Sequence, residues 1–301
     1  MTSGTAVRLG GRALARVSGE DARHFLQNLI TCDLDHVGDT GASHGALLTP
    51  QGKILFAFLV RPTGDGGYLL ETDAASLPDL VKRLTFYKLR AKVTVEDVSS
   101  SFAVFAAWDA DAGALRTAFP DAHVFDDPRR AELGLRLYLP LGDAGDDASA
   151  PAGLAGGTEA DWHARRVASC VPEAPFDYAL GDAFPHDVDM DELGGVAFDK
   201  GCFVGQEVVS RMQHRGTARR RVIQVSGADA LPASGTDVMA GDKPAGQLGT
   251  VAGARGLALV RLDRIAQARA AGTPVTAGDV ALEPHIPDWA SFDWPVPAGG
   301  D

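Results

Sequence analysis

Five short apolar runs near the end of the chain, separated by glycine turns, constrain the fold more than any other feature. They read RRVIQVSG, GTDVMAG, PAGQLGTVAG, GLALVRL and PVTAGDVALEP. Each is too short to shield a hydrophobic face alone, and alternation turns one side of every strand inward. Even spacing of such strands therefore predicts a small barrel or sandwich of roughly 75 residues after Arg221.

The earlier part has a different rhythm. Ala13 to Val17 reads as a strand, and Ser18-Gly19-Glu20-Asp21 resembles a capping box opening a helix with Ala22, Phe25, Leu26 and Leu29 on one stripe. From Ala46 to Glu71, ALLTPQGKILFAFLVRPTGDGGYLLE gives three apolar segments broken by two turns, the pattern of an antiparallel meander. Ser76 and Pro78 open another helix, bearing Leu80, Val81 and Leu84, and AKVTVEDV and SFAVFAAW read as strands. Gly142 to Glu159, rich in Ala, Gly and Asp, is expected to be an exposed insertion. A helix near Asp161 to Ala168 follows. The sum is an α+β body over residues 1–216, a small β domain over 217–290 and a tail over 291–301.

With 301 residues, 45% of them hydrophobic and 23% charged, the chain has the composition of a globular protein. A net charge of −12 argues against a general nucleic-acid coat or a membrane-surface protein. The sparse cysteines Cys32, Cys170 and Cys202 fit a reducing compartment, and no apolar run approaches the roughly 18 residues of a membrane span. Arg8, Arg12 and Arg16 precede the first acid, Glu20, as in a transit peptide, but they fall where the first strands are expected. A cytoplasmic protein is the expectation.

Between the two parts stands DKGCFVGQEVVSRMQHRGTARRR, Asp199 to Arg221. Gly201 and Gly205 flank the cysteine and permit close approach. Gln206 and Glu207 open a helix with Val208, Val209 and Met212 on its apolar side and Arg211 and Arg215 four apart on the other. Cys202 is open to four readings: a buried core thiol, a metal ligand, a Cys-His nucleophile or a partly exposed functional thiol. No Cys or His stands at ligand spacing, so no metal site is expected. The arginines read either as a solvated surface or as forks for an anion. The acids around His186 in FPHDVDMDE read as a solvated loop, lacking the spacing of a calcium site.

Lys200 to Glu207, KGCFVGQE, resembles the K-G-C-[YF]-x-G-Q-E signature of the YgfZ family of folate-binding proteins, relatives of the aminomethyltransferase of glycine cleavage. Its surroundings are similar too: FPHDVDMDELGGVAFD upstream, VVSRMQHRGTARRRV downstream, and RVSGEDARHFLQNLITCDL, LLTPQGKILFAFLV and LTFYKLRAKVTVED in the N-terminal half. AGQLGTV and GLALVRL resemble its C-terminal barrel, so the likeness runs from about Gly11 to Leu282. Phe203 stands where Tyr is commoner, Asp189 where Asn is usual, and Gly142 to Glu159 is extra.

The resemblance implies an aminomethyltransferase-like body of antiparallel sheets with helices, a C-terminal β-barrel, and tetrahydrofolate as cofactor. It implies a role in assembling or repairing iron–sulfur proteins and, in bacteria, in some tRNA modification. The cofactor-binding residues it implies are Asp189, Lys200, Gly201, Gly205, Gln206, Glu207, Arg211 and Arg215, with Cys202 as a functional thiol. Partners would be folate and iron–sulfur client or assembly proteins, with no membrane and no stable nucleic-acid complex. The alternative is a folate-dependent one-carbon transferase. Its carboxylate has no firm match, although Asp79 falls near the place.

Overall fold

Small apolar residues at alternate positions build the first strands, and the meander expected between Ala46 and Glu71 forms as three paired strands. The computed structural model describes residues 4–38, 41–144, 150–216 and 218–296. They divide into two units, residues 1–162 with 193–206, and residues 163–192 with 207–301. Among the described residues no helix is long and apolar enough to cross a membrane.

The first unit contains β1 (Thr5–Arg8), β2 (Arg12–Ser18), β3 (Ser43–Leu48), β4 (Ile54–Pro62), β5 (Tyr68–Asp73) and β6 (Thr94–Asp97). β7 (Phe102–Trp108), β8 (His123–Asp126), β9 (Leu135–Pro140) and β10 (Ala155–Gly156) follow. Its helices are α1 (Ala22–Gln27), α2 (Leu77–Tyr87), α3 (Ala112–Ala118) and α4 (Leu141–Ala144), and α5 (Glu159–Ser169) begins in it. The strands make two five-stranded sheets, ordered β3-β4-β5-β2-β6 and β10-β1-β7-β9-β8. Ala13, Ala15 and Val17 of β2 face a core with Phe25 and Leu26 of α1 and Leu77, Leu80 and Leu84 of α2. Phe105, Leu137 and Leu139 pack with Leu115 of α3 in the other sheet's core. The segment around Gly142 to Glu159 is exposed over much of its described length, and its residues Ala155 and Gly156 pair parallel with β1.

The capping box expected at Ser18 does not form. Ser18 ends β2, and Asp21 Oδ2 accepts from the Lys92 amide at 2.8 Å instead of capping α1. Gly19 is the cause. At φ +117° a Cβ would stand 2.1 Å from the Lys92 carbonyl oxygen, so the turn runs against that segment and Asp21 is drawn to it.

A buried line of alternating charge links the two sheets. Arg12 Nε of β2 donates to Glu71 Oε1 of β5 at 2.8 Å, and Arg136 Nε of β9 lies 3.6 Å from Glu71 Oε2 and 3.4 Å from Asp127 Oδ2. Asp127 in turn takes a two-pronged pair from Arg129, at 2.9 and 2.7 Å. The Trp162 ring covers the Arg136 guanidinium at 4.6 Å. Burial works to raise Asp127, but Arg129 and Arg136 outweigh it and hold the carboxyl below its ordinary value.

In the second unit α6 (Gln206–Arg215, from Glu207 on) precedes β11 (Arg220–Ser226), β12 (Asp237–Ala240), β13 (Lys243–Ala252) and β14 (Arg255–Arg261). Then come α7 (Leu262–Ala270), β15 (Val275–Ala277) and β16 (Val280–His285). The strands close into a barrel ordered β11-β14-β13-β12-β15-β16. Five apolar runs give six strands because PVTAGDVALEP folds back on itself, pairing Val275 with Leu282. α7 has no counterpart in the expected strand pattern; Leu262, Ile265 and Ala268 bury its apolar side against the barrel core. Phe292 and Trp294 pack on the same core.

The charge line carries a prediction. Arg136→Met should leave Glu71 and Asp127 buried with less countercharge and cost about 3–5 kcal/mol, read from urea unfolding midpoints. A loss under about 1 kcal/mol would show that the sheets do not depend on it.

Candidate functional site

The signature loop is held from both sides within the first unit. Ala197 N donates to Thr31 O at 2.9 Å, and Thr31 Oγ1 returns a hydrogen bond to Gly195 O at 2.6 Å. Lys200 Nζ, mostly buried, donates to the carbonyls of Ile30 at 2.9 Å and Cys32 at 2.7 Å. Burial lowers its pKa against the opposing pull of Cys32 and of Asp33. This lysine therefore fixes backbone rather than lining an open surface. Three residues on, the buried Phe203 ring packs 5.6 Å from the same ammonium.

Between these two anchors Gly201 and Cys202 are exposed. The glycines differ in their reasons. At Gly201 a Cβ would meet nothing within 4 Å, whereas Gly205 has φ +81° and a Cβ there would stand 2.6 Å from the Thr49 carbonyl oxygen. Gly205 is thus required by its fit against the LLTPQGK turn. Gln206 Oε1 accepts from Phe203 N at 3.3 Å and closes the loop.

Cys202 differs from the other thiols. Cys32 is buried and pushed up to about 11, burial being the main cause, and burial holds Cys170 well above the ordinary thiol value. Only Cys202 is exposed among the three.

On α6, Val209 is fully buried, while Arg211 pairs with Glu207 one turn earlier and both stay exposed. Such a pair is worth about 0.3–0.5 kcal/mol. Arg215 closes the helix, and its side chain lies outside the described residues.

Asp189 occupies a different setting, inside the second unit. The loop read from sequence as solvated is buried: His186, Asp187 and Asp189 are all nearly inaccessible. The reason is the arginines of β11. Arg221 grips Asp191 through two bonds of 2.6 and 2.9 Å, donates to His186 O at 2.8 Å and stacks on Phe292 at 4.4 Å. Arg220 reaches Asp187 at 2.6 Å. Neither reading of the arginine run, surface or ligand fork, describes these two. The signal in the sequence was the match between acids at 187–192 and arginines at 220–221, which only the fold brings together.

Asp189 itself sits in left-handed backbone at φ +58°, which aspartate tolerates better than most residues. Its Oδ1 lies 3.4 Å from Arg221, and its Oδ2 has no hydrogen-bond partner among the described residues. Burial raises its pKa well above the ordinary value despite Arg221, and Asp191 adds to the rise. Protonated, such a carboxyl offers one donor and one acceptor, as an asparagine amide does. The predicted residues thus fall in three places: a loop holding Lys200, Gly201, Cys202, Gly205 and Gln206, the exposed side of α6 with Glu207 and Arg211, and a buried carboxyl at Asp189. Asp79 is exposed in the first turn of α2.

Comparison with known proteins gives the family. The chain is 34% identical over 98% of its length, and 86% of the relative's, to "Iron-sulfur cluster assembly factor IBA57, mitochondrial" of Mus musculus. It belongs to the IBA57 family. The Homo sapiens protein of the same name is 33% identical over 96% of this chain and 85% of its own. Residues 219–292 match the family described as CAF17, C-terminal beta-barrel domain. The glycine cleavage system aminomethyltransferase T of Bartonella henselae superposes with a TM-score of 0.72. That match covers 97% of this chain and 87% of the other at 16% identity, which establishes the aminomethyltransferase-like fold.

One expectation is corrected by these relatives. The cytoplasmic placement does not hold, since the mouse and human proteins are named as mitochondrial. Arg8, Arg12 and Arg16 do lie in β1 and β2. Targeting is read by receptors and leaves no mark on a folded core, so strand pattern was no guide to compartment.

The Asp189 carboxyl yields a pH prediction. Its folded pKa stands above the unfolded value of about 3.9, so its contribution is fully present below that pH and lost as pH rises toward the folded pKa. Asp189→Asn removes the titration. Relative to the wild type, the variant's Tm should climb as pH rises above about 4. Parallel profiles would mean that Asp189 is ionised in the native protein.

Proposed function

We propose that this chain is an accessory factor for iron–sulfur proteins that binds tetrahydrofolate and works through Cys202. The observation that carries the reading is the presentation of that thiol. Two buried anchors, Lys200 and Phe203, hold an exposed cysteine in a family whose members are named for iron–sulfur cluster assembly. Thiolates are the ordinary ligands of iron–sulfur clusters, usually four together. One presented thiol supplies a single contact while client or assembly proteins supply the others. Effects on tRNA modification would arise at one remove, through the iron–sulfur proteins supported.

Folate is supported by chemistry at Asp189. A pterin edge carries amide and amine donors beside ring acceptors, and a carboxyl with an unpartnered, buried Oδ2 would complement it in its protonated form. Asp189 would hold the pterin, and Arg211 would meet the glutamate tail by exchanging its Glu207 partner for the ligand's carboxylate. Bound folate supplies a one-carbon carrier. Lys200 shapes the loop without touching the ligand.

Three measurements test this. Calorimetry with tetrahydrofolate should show binding kept in Asp189→Asn and weakened at least about tenfold in Asp189→Leu, the loss of one well-made hydrogen bond. No heat and no thermal shift at millimolar folate would remove folate from the reading. Cys202→Ala should keep its fold and folate binding while iron–sulfur enzymes lose activity in cells carrying only the variant. Full activity there would return Cys202 to packing. A single turnover of methylene-tetrahydrofolate with an amine acceptor would instead favour the transferase.

A further inference from the structure

The most apolar exposed spot of the first unit lies among its densest cations. From Leu80 to Val95 the chain has five cationic side chains, Lys82, Arg83, Lys88, Arg90 and Lys92, and no acid, in a protein of net charge −12. Within this segment Phe86 is 71% and Leu89 85% exposed. Helix patterning does not explain them, because the buried stripe of α2 is Leu77, Leu80 and Leu84.

Leu89 is also strained. Its φ of +42° places a branched side chain in left-handed backbone, at a cost that glycine would avoid. Strain of this kind concentrates at functional positions, and here it accompanies a leucine turned outward. The cations divide by task. Lys88 Nζ donates to Val93 O at 3.2 Å and Lys92 pairs with Glu20 at 2.6 Å, so both serve the local fold. Lys82, Arg83 and Arg90 are exposed.

We propose that this turn, Phe86 and Leu89 ringed by Lys82, Arg83 and Arg90, is the docking surface for an acidic protein partner that presents carboxylates around an apolar side chain. Charge complementarity selects the partner's sign, and the apolar pair supplies contact area that charge alone does not. RNA fits less well. Tyr87 is half-buried, with Arg83 over its ring at 5.8 Å and Phe86 tilted against it at 6.0 Å, and Leu89 has no face on which a base can stack. A membrane fits less well too, since the helix keeps its apolar stripe in the core and leaves two side chains to insert, when even one myristoyl chain binds only marginally. The proposal stands apart from folate and Cys202.

The test uses the intact chain and three fluorescent probes: an acidic peptide alternating Glu with Leu, an oligouridylate, and phosphatidylglycerol vesicles. The peptide should bind, and Phe86→Ser/Leu89→Ser and Arg83→Ser/Arg90→Ser should each weaken it at least tenfold with Tm and folate titration unchanged. Leu89→Gly should weaken the peptide while keeping or raising Tm, because it relieves the backbone. The proposal is overturned by absent peptide binding, by equal binding of the same peptide with serine in place of leucine, or by preference for RNA or vesicles. A dimer of the chain dissolved by the same substitutions would assign the surface to self-association and overturn it as well.

Discussion

Burying Arg136 between Glu71 and Asp127 is the constraint on which the first unit is built. A guanidinium taken out of water costs several kcal/mol, recovered only where countercharges and a ring surround it. The two sheets provide these from separate strands, so neither sheet can slide without stranding a charge. Apolar packing alone would hold the sheets together in several registers. The charges choose one, and the loop at 193–206 docks elsewhere on the same unit, against Ile30, Thr31, Cys32 and Thr49.

The second unit solves a similar problem differently. Its barrel closes on apolar faces, but Arg220 and Arg221 begin the first strand and bind the acids of the preceding loop. Crowding Asp187, Asp189 and Asp191 together would be prohibitive if all were ionised. Arg221 makes two short bonds to Asp191 and one long one to Asp189, and burial raises the Asp189 pKa well above its ordinary value. Two carboxyls two residues apart thereby acquire different settings, one gripped by a guanidinium and the other buried with an oxygen left over.

Much of this was legible before the fold. Glycine turns and alternation gave the barrel and the meander, since both signals are local. KGCFVGQE located the exposed thiol. The burial of the acidic loop was not legible, because each acid looks solvated until Arg220 and Arg221 are brought beside it. Lys200 misled in the opposite sense: a cation beside a cysteine suggests a ligand wall, yet its ammonium is consumed by two carbonyls some 170 residues earlier in the chain. The failed capping box has a similar origin, a glycine turn whose neighbour is Lys92. In each case the deciding partner was distant in sequence.

The return of residues 193–206 to the first unit has a consequence for biosynthesis. Ile30 and Cys32 leave the ribosome long before Lys200, the group that satisfies their carbonyls. Thirty residues of the other unit, 163–192, are made in between. Vectorial folding therefore leaves the first unit unfinished until its last segment emerges, and the fit of Gly205 against Thr49 can form only then. The thiol reaches its display position last, so a nascent chain halted early carries a half-built body and no presented cysteine.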